Sequence, residues 1–345
     1  MGEGSVNQKA MSTVGIVLAL ALGLFSPVRS EPSAESGAGA EGAAAAMASN
    51  VPLDDAAVDR ILKSGYVEVE KVRLVLLPTK VADRKGRIVR NLAREDFTLR
   101  EDHIPQTIHF FSVEGATPVS IAFMLDVSGS MRMSGKLEAA KEAIRYFVDA
   151  LRPQDRFALI CFADEQVAWV TEFTSDRDRF LSRLAVQAGY GQTALHDAVA
   201  AAPGLVEASG DGKKAIVLIT DGVDNASVIT LDEAAEAARR ASVPIYTIGF
   251  SSLPTDLVPE HRELRTNFQV LDLFSEETGA TAYAVHDPDE LKEAVARIDE
   301  ELRFQYLIGY KPTRSRWDGR YRSIQLETRK SRYVVSTRRG YYATP

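Results

Sequence analysis

Asp126, Ser128 and Ser130 stand at alternate positions in the stretch Ser120–Met131, which reads S-I-A-F-M-L-D-V-S-G-S-M. In a tight loop, oxygens spaced i, i+2 and i+4 converge on one point, and Gly129 lets the backbone turn closely enough for that. A hard oxygen set of this kind suits Mg²⁺, Mn²⁺ or Ca²⁺. The blander reading is a serine-rich turn closing a strand. The element that must position these residues is the apolar run before them, which reads as a strand buried on both faces. Its polar residues then fall at the carboxyl end, the edge on which open α/β sheets build their sites.

Two later stretches bear on the choice. Ala215–Thr220, A-I-V-L-I-T, is a second apolar strand and also ends in an aspartate, at Asp221-Gly222. Gly189-Tyr190-Gly191-Gln192-Thr193 is a glycine-containing loop that delivers a threonine to the start of a helical pattern. With these pieces the sequence resembles the von Willebrand factor type A (VWA) domain. That family's metal-ion-dependent adhesion site (MIDAS) is built from D-x-S-x-S, a loop threonine and a later strand-end aspartate. Asp126, Ser128, Ser130, Thr193 and Asp221 match that motif one for one. The resemblance implies that Ser128, Ser130 and Thr193 touch a metal through neutral hydroxyls, while Asp126 and Asp221 act directly or through water. A carboxylate from a protein partner would then complete the octahedron. The chemistry implied is adhesion, not turnover.

Enzymatic alternatives fare less well. Ser128 stands where a phosphotransferase-type D-x-D site needs its second aspartate, and neither serine lies in G-x-S-x-G. His196 and Asp197 are adjacent on a helix, so their side chains diverge. The single cysteine, Cys161, sits in the strand-like Phe157–Phe162 and reads as a small buried hydrophobe; it leaves no intrachain disulfide. A structural envelope protein whose ion merely stabilises the loop would use the same ligands.

At 345 residues the chain is too long for one such domain, and its net charge of −7 gives no basic footprint for nucleic acid. Lys9 followed by the apolar run Val14–Phe25 and the small residues near Ser30 reads as an export signal cut after Ser30. Met11 is an alternative start. The run is short for a membrane span, yet an uncleaved N-terminal anchor is the alternative to cleavage. No cysteine follows the run, which argues against a lipoprotein. The Ala-, Gly-, Ser- and Glu-rich stretch 31–50 reads as a flexible tether, and 51–63 carries a short helical pattern.

The flanks are β-rich. Val67 and Val69, then Val72, Leu74 and Leu76, alternate with a phase shift at Glu70-Lys71 that predicts a long bulged strand. Phe97–Arg100 and Thr107–Val113 predict a hairpin across 101–106. Phe304–Tyr310, Tyr321–Thr328 and Tyr333–Thr337 predict three more strands. Neither flank has strands enough to stand alone, so the two are expected to pair. This layout resembles a bacterial family of exported VWA-related proteins, matched here by Glu101-Asp102 with Gln106 and Ile108, by Gln305-Tyr306 with Tyr310, and by Arg338-Arg339-Gly340-Tyr341. His103 replaces the family's usual glycine, and histidine tolerates a left-handed turn.

The expected architecture is α/β. A VWA-type, doubly wound and mostly parallel sheet with a MIDAS spans 118–303. A β-sandwich-like module is assembled from 64–117 and 304–345, after a signal peptide (1–30) and a linker (31–63). Leu137 to Leu151 form one helical face ended by Pro153, Phe157–Phe162 and Val167–Phe173 an antiparallel edge hairpin, and Thr230 with Glu233 a capping box. Pro203 is expected to kink the helix after Thr193. The stretch from Phe250 to Leu271 reads as a long loop, either shaping a binding face or inserted without consequence. The expected function is divalent-cation-dependent protein–protein interaction in the periplasm or outside the cell, with an acidic group of the partner on the metal. A metal-dependent hydrolase or phosphatase is the weakest reading.

Overall fold

The computed structural model describes residues 73–115, 117–164, 166–209, 212–250 and 262–344, leaving aside the side chains of 134 and 262–266. The export signal, the tether, the short helix over 51–63 and the bulge at Glu70-Lys71 lie outside these residues.

The N-terminal flank contributes β1 (Val75–Asp83), β2 (Phe97–Glu101), β3 (Ile104–Gln106) and β4 (Ile108–Glu114). The central region continues with β5 (Val119–Asp126), α1 (Lys136–Ala150), β6 (Arg156–Ala163), β7 (Gln166–Thr174) and α2 (Arg177–Ala185). Then come α3 (Leu195–Glu207), β8 (Lys213–Thr220), α4 (Leu231–Arg240), β9 (Ile245–Phe250), α5 (Arg262–Thr278), β10 (Ala282–Val285) and α6 (Pro288–Arg303). The C-terminal flank adds β11 (Gln305–Tyr310), β12 (Tyr321–Thr328), β13 (Tyr333–Ser336) and β14 (Gly340–Tyr342).

The central sheet runs β10-β9-β8-β5-β6-β7 and is parallel except for β7, which closes the edge as an antiparallel hairpin with β6. Strand β5 lies between β8 and β6, so both its edges are paired, and helices cover both its faces. Ile121, Phe123 and Leu125 pack with α1 and α6 residues such as Ile144, Phe147 and Ile298. Ala122 and Met124 pack with Leu195, Val199 and Phe274 on the other side. A fully apolar strand is the expected product of that placement. Helix starts follow their caps: Thr230 accepts from the Glu233 amide while Glu233 accepts from Thr230 N, and Asp287 accepts from the amides of Asp289 and Glu290. Helix α3 runs on through Pro203.

The two flanks form two four-stranded sheets, β13-β1-β11-β4 and β14-β12-β2-β3, with N- and C-terminal strands in each. They close on one core that includes Leu77, Val81, Phe97, Leu99, Tyr306, Ile308 and Leu326. Glu101 lies buried in that module, accepting from Tyr310 Oη at 2.6 Å, Tyr341 Oη at 2.9 Å and Arg322 Nη1 at 3.2 Å. Three of the residues that carry the wider resemblance are therefore hydrogen-bonded into one cluster, which satisfies a buried charge that would otherwise be costly.

Three expectations need correction. The inward row of β1 is Val75, Leu77, Thr79 and Val81, whereas Leu74 and Leu76 are 45% and 43% exposed and line a cleft of about 690 Å³ with Lys213, Arg239 and Tyr342. Thr79 sits in the core row with its hydroxyl bonded to Leu77 O, so apolarity alone picks the wrong row of a two-residue pleat. The hairpin partner of β2 is the short β3, and β4 crosses to the other sheet beside β11. Asp102 and His103 make that hairpin's turn with φ of 47° and 66°, the left-handed pair a two-residue loop requires. The stretch read as loop up to Leu271 is helical from Arg262 onward, with Leu271 and Phe274 in the core. The part from 251 to 261 lies outside the described residues.

Candidate metal centre

Strand β5 ends at Asp126, whose carboxylate is fully buried. Its Oδ1 accepts from the Ser128 amide at 2.8 Å and its Oδ2 from Thr220 Oγ1 at 2.6 Å. Burial raises its carboxyl to about 6; hydrogen bonds from Ser128 and Thr220 oppose that rise, and the nearby Asp221 charge adds to it. A 3-10 helix over Gly129–Gly135 follows, with Ser128 at its N-cap and Ser130 in its first turn. Ser128 Oγ and Ser130 Oγ are 3.0 Å apart.

The loop before α3 is laced to this turn by its backbone. Gly129 N donates to Gly191 O at 3.0 Å, and Tyr190 N to Val127 O at 2.8 Å. Gly191 has φ +64°, and a Cβ there would lie 2.2 Å from Asp164 Oδ2, so only glycine fits. Thr193 N donates to Asn225 Oδ1 at 2.8 Å, and Thr193 O accepts from the amides of Asn225 and Ala226. Thr193 Oγ1 is buried and has no hydrogen-bond partner among the described residues.

Strand β8 ends beside β5 and supplies Asp221. Its Oδ2 pairs with Lys136 Nζ at 2.9 Å, and its Oδ1 accepts from Val223 N at 3.3 Å. The structure thus brings Asp126, Ser128 and Ser130 into one polar turn, sets Asp221 close enough to act on Asp126, and ties Thr193 to the loop after β8, while Tyr190 and Gly191 tie its own loop to the turn after β5.

Several residues that sequence reasoning missed hold this arrangement. Thr220 bridges Asp126 and the Gly222 amide. Asp224 accepts from Leu195 N at 2.8 Å and Ser227 Oγ at 2.5 Å, capping α3 from a distant loop. Asp197 returns the contact by accepting from Val228 N and Ile229 N. The cluster D-G-V-D-N-A-S after β8 was the available signal, since Asp, Asn and Ser so dense beyond a strand end are residues that bond backbone.

The donor set, two carboxylates and three hydroxyls, fits a hard divalent ion, and the orphaned Thr193 hydroxyl is what such an ion would satisfy. Among the described residues, no group of three or more His, Cys, Asp or Glu is placed to hold a metal, so the fit rests on the hydroxyls. Cys161 is buried, and burial raises its thiol to about 12, which leaves it neutral.

Human inter-alpha-trypsin inhibitor heavy chain H4 is 33% identical over 129 residues, which cover 33% of this chain and 14% of that protein. An uncharacterized protein of Borreliella burgdorferi is 33% identical over 141 residues, covering 38% of this chain and 40% of that one. The chain therefore spans less than half the length of these curated relatives. Similar solved structures include BatB from Bacteroides thetaiotaomicron, at 22% identity and TM-score 0.41, covering 53% of this chain and 98% of that one. A von Willebrand factor type A structure from Catenulispora acidiphila, at 16% identity and TM-score 0.44, covers 70% of this chain and 71% of that one. The family model for the von Willebrand factor type A domain matches residues 120–297, more than half of the chain, and the protein belongs to that family.

Proposed function

We propose that the protein binds one divalent cation, Mg²⁺ or else Mn²⁺ or Ca²⁺, through Asp126, Ser128, Ser130, Thr193 and Asp221. The cation serves to hold an acidic residue of a protein partner. The observation that carries this reading is Thr193 Oγ1, a buried hydroxyl without a partner in a site where the neighbouring polar groups are hydrogen-bonded. When bound, such an ion supplies an open coordination position for a carboxylate oxygen. The chain's own part is to orient: Thr220 holds Asp126, Asn225 holds the Thr193 backbone, and the backbone bonds at Gly129 and Tyr190 fix the distance between loops.

The surface around the site suits a protein partner. Each of the three loops carries an exposed apolar residue, with Met133 67% exposed, Tyr190 46% and Val228 82%. Apolar side chains rimming a polar centre are the composition of a binding face.

Export, with a cut near Glu31 or an uncleaved anchor, belongs to the same proposal, as do the boundaries 64–117, 118–303 and 304–345. Among the described residues no helix is long and apolar enough to cross a membrane. The test is capture of partners from an envelope extract with and without chelator, alongside Asp126→Ala. Capture that survives chelation and the substitution alike moves the function to another surface, and an ion that only stabilises the loop predicts that outcome.

A further inference from the structure

Lys136 has no place in the ligand motif, yet its ammonium sits 2.9 Å from Asp221 Oδ2, with the two side chains only 18% and 2% exposed. It is the first residue of α1, where the helix dipole disfavours a cation. Helix formation therefore gives no reason for a lysine at this position. The pair with Asp221 offsets that cost, and it places a fixed positive charge against one of the two carboxylates of the centre.

The consequence follows from counting charge. Asp126 and Asp221 carry two negative charges and Lys136 one positive. A divalent ion would leave the wild-type centre at a net +1, and a partner's carboxylate would bring it to neutrality. Without Lys136 the loaded centre is already neutral, and the same carboxylate would leave a net negative charge among buried groups, which is unfavourable. We propose that Lys136 is a fixed counter-charge that weakens the cation's hold and strengthens the hold on an acidic ligand. This rests on the metal-site reading above and assigns a task to a residue outside the ligand set.

The two effects have opposite signs, which a purely structural ion pair would not produce. The experiment titrates Mn²⁺ by calorimetry into wild type, Lys136→Met and Lys136→Arg. It then follows glutamate capped at both ends by the paramagnetic broadening of its methylene signals on the Mn²⁺-loaded proteins. Lys136→Met should bind Mn²⁺ about tenfold more tightly and the capped glutamate about tenfold more weakly. Lys136→Arg keeps the charge and should stay near wild type in both, and it serves as the reporter if Lys136→Met melts early. If wild type takes up no Mn²⁺, the metal-site reading fails and this inference with it. If wild type binds Mn²⁺ and Lys136→Met changes neither affinity, or lowers both, the metal site stands and the counter-charge is refuted.

Discussion

A hydroxyl buried without a partner is a liability unless something else engages it, and Thr193 carries one at the end of a loop bonded to the Ser128–Ser130 turn. Thr193→Val keeps the shape and loses no hydrogen bond, so the melting temperature measured in chelator should hold or rise, while calorimetry should show Mg²⁺ affinity falling at least about tenfold. Asp221→Ala should also lower Mg²⁺ affinity with the fold retained, but at some cost in melting temperature, because Lys136 loses its partner. Asp126→Ala and Asp221→Ala with undiminished Mg²⁺ affinity would remove the site. Asp126, Ser128 and Ser130 stand out in the chain because they follow an apolar strand at alternate positions, and Asp221 because it ends another; Thr193 joins them through the resemblance to the VWA motif. Their supports do not stand out. Thr220 meets Asp126 across 94 residues, and nothing in its local surroundings marks the contact. Lys136 likewise reads as one more lysine on a charged helix.

At the level of elements, the loops matter as much as the strands they leave. Gly191→Ala would force a left-handed residue into the Asp164 carboxylate, moving the loop that Gly129 and Thr193 depend on. The expected result is weaker Mg²⁺ binding by calorimetry with the central sheet's circular dichroism retained. Another junction is Asp155, which accepts from Val119 N at the start of β5, from Arg152 N after α1, and from Arg303 at the end of α6. Burial alone would raise its carboxyl, but the Arg303 guanidinium and the two amides hold it below the ordinary 3.8. A depressed folded value means that its stabilisation is complete above the unfolded value and is lost as pH falls through the folded one. Asp155→Asn should therefore cost about 3 kcal/mol in denaturant unfolding near neutrality, and the gap to wild type should narrow on acidification below 3.8. The buried central strands were legible because both faces are apolar. The half-buried strands of the flanks were not, since the core row of β1 contains Thr79 while the outer row holds Leu74 and Leu76.

Over the whole molecule, each flanking sheet contains both N- and C-terminal strands, alternating in β13-β1-β11-β4 and meeting at β12 and β2 in the other, so neither flank is a unit by itself. Removing Lys311–Pro345 takes away β12, β13 and β14 and bares Phe97, Leu99 and Val81, not the Leu74 row; light scattering should show aggregation, and limited proteolysis a loss of protection. A soluble, protease-resistant truncation would contradict a shared core. That the flanks would pair was readable from strand number, but which strand neighbours which was not, because register depends on contacts far apart in the chain. Strands β4 and β11 are hydrogen-bonded neighbours, Glu114 opposite Gln305, although the whole central domain lies between them. During synthesis β1 to β4 leave the ribosome long before their partners exist, with edges open to foreign strands. Asp155 bonds Val119 and Arg303 together, and so fastens the entrance of the central domain to its exit. Closing that long loop by folding the domain removes most of the entropic cost of bringing β11 to β4. The domain that carries the candidate site at one end is, at the other, the jig on which the sandwich is assembled.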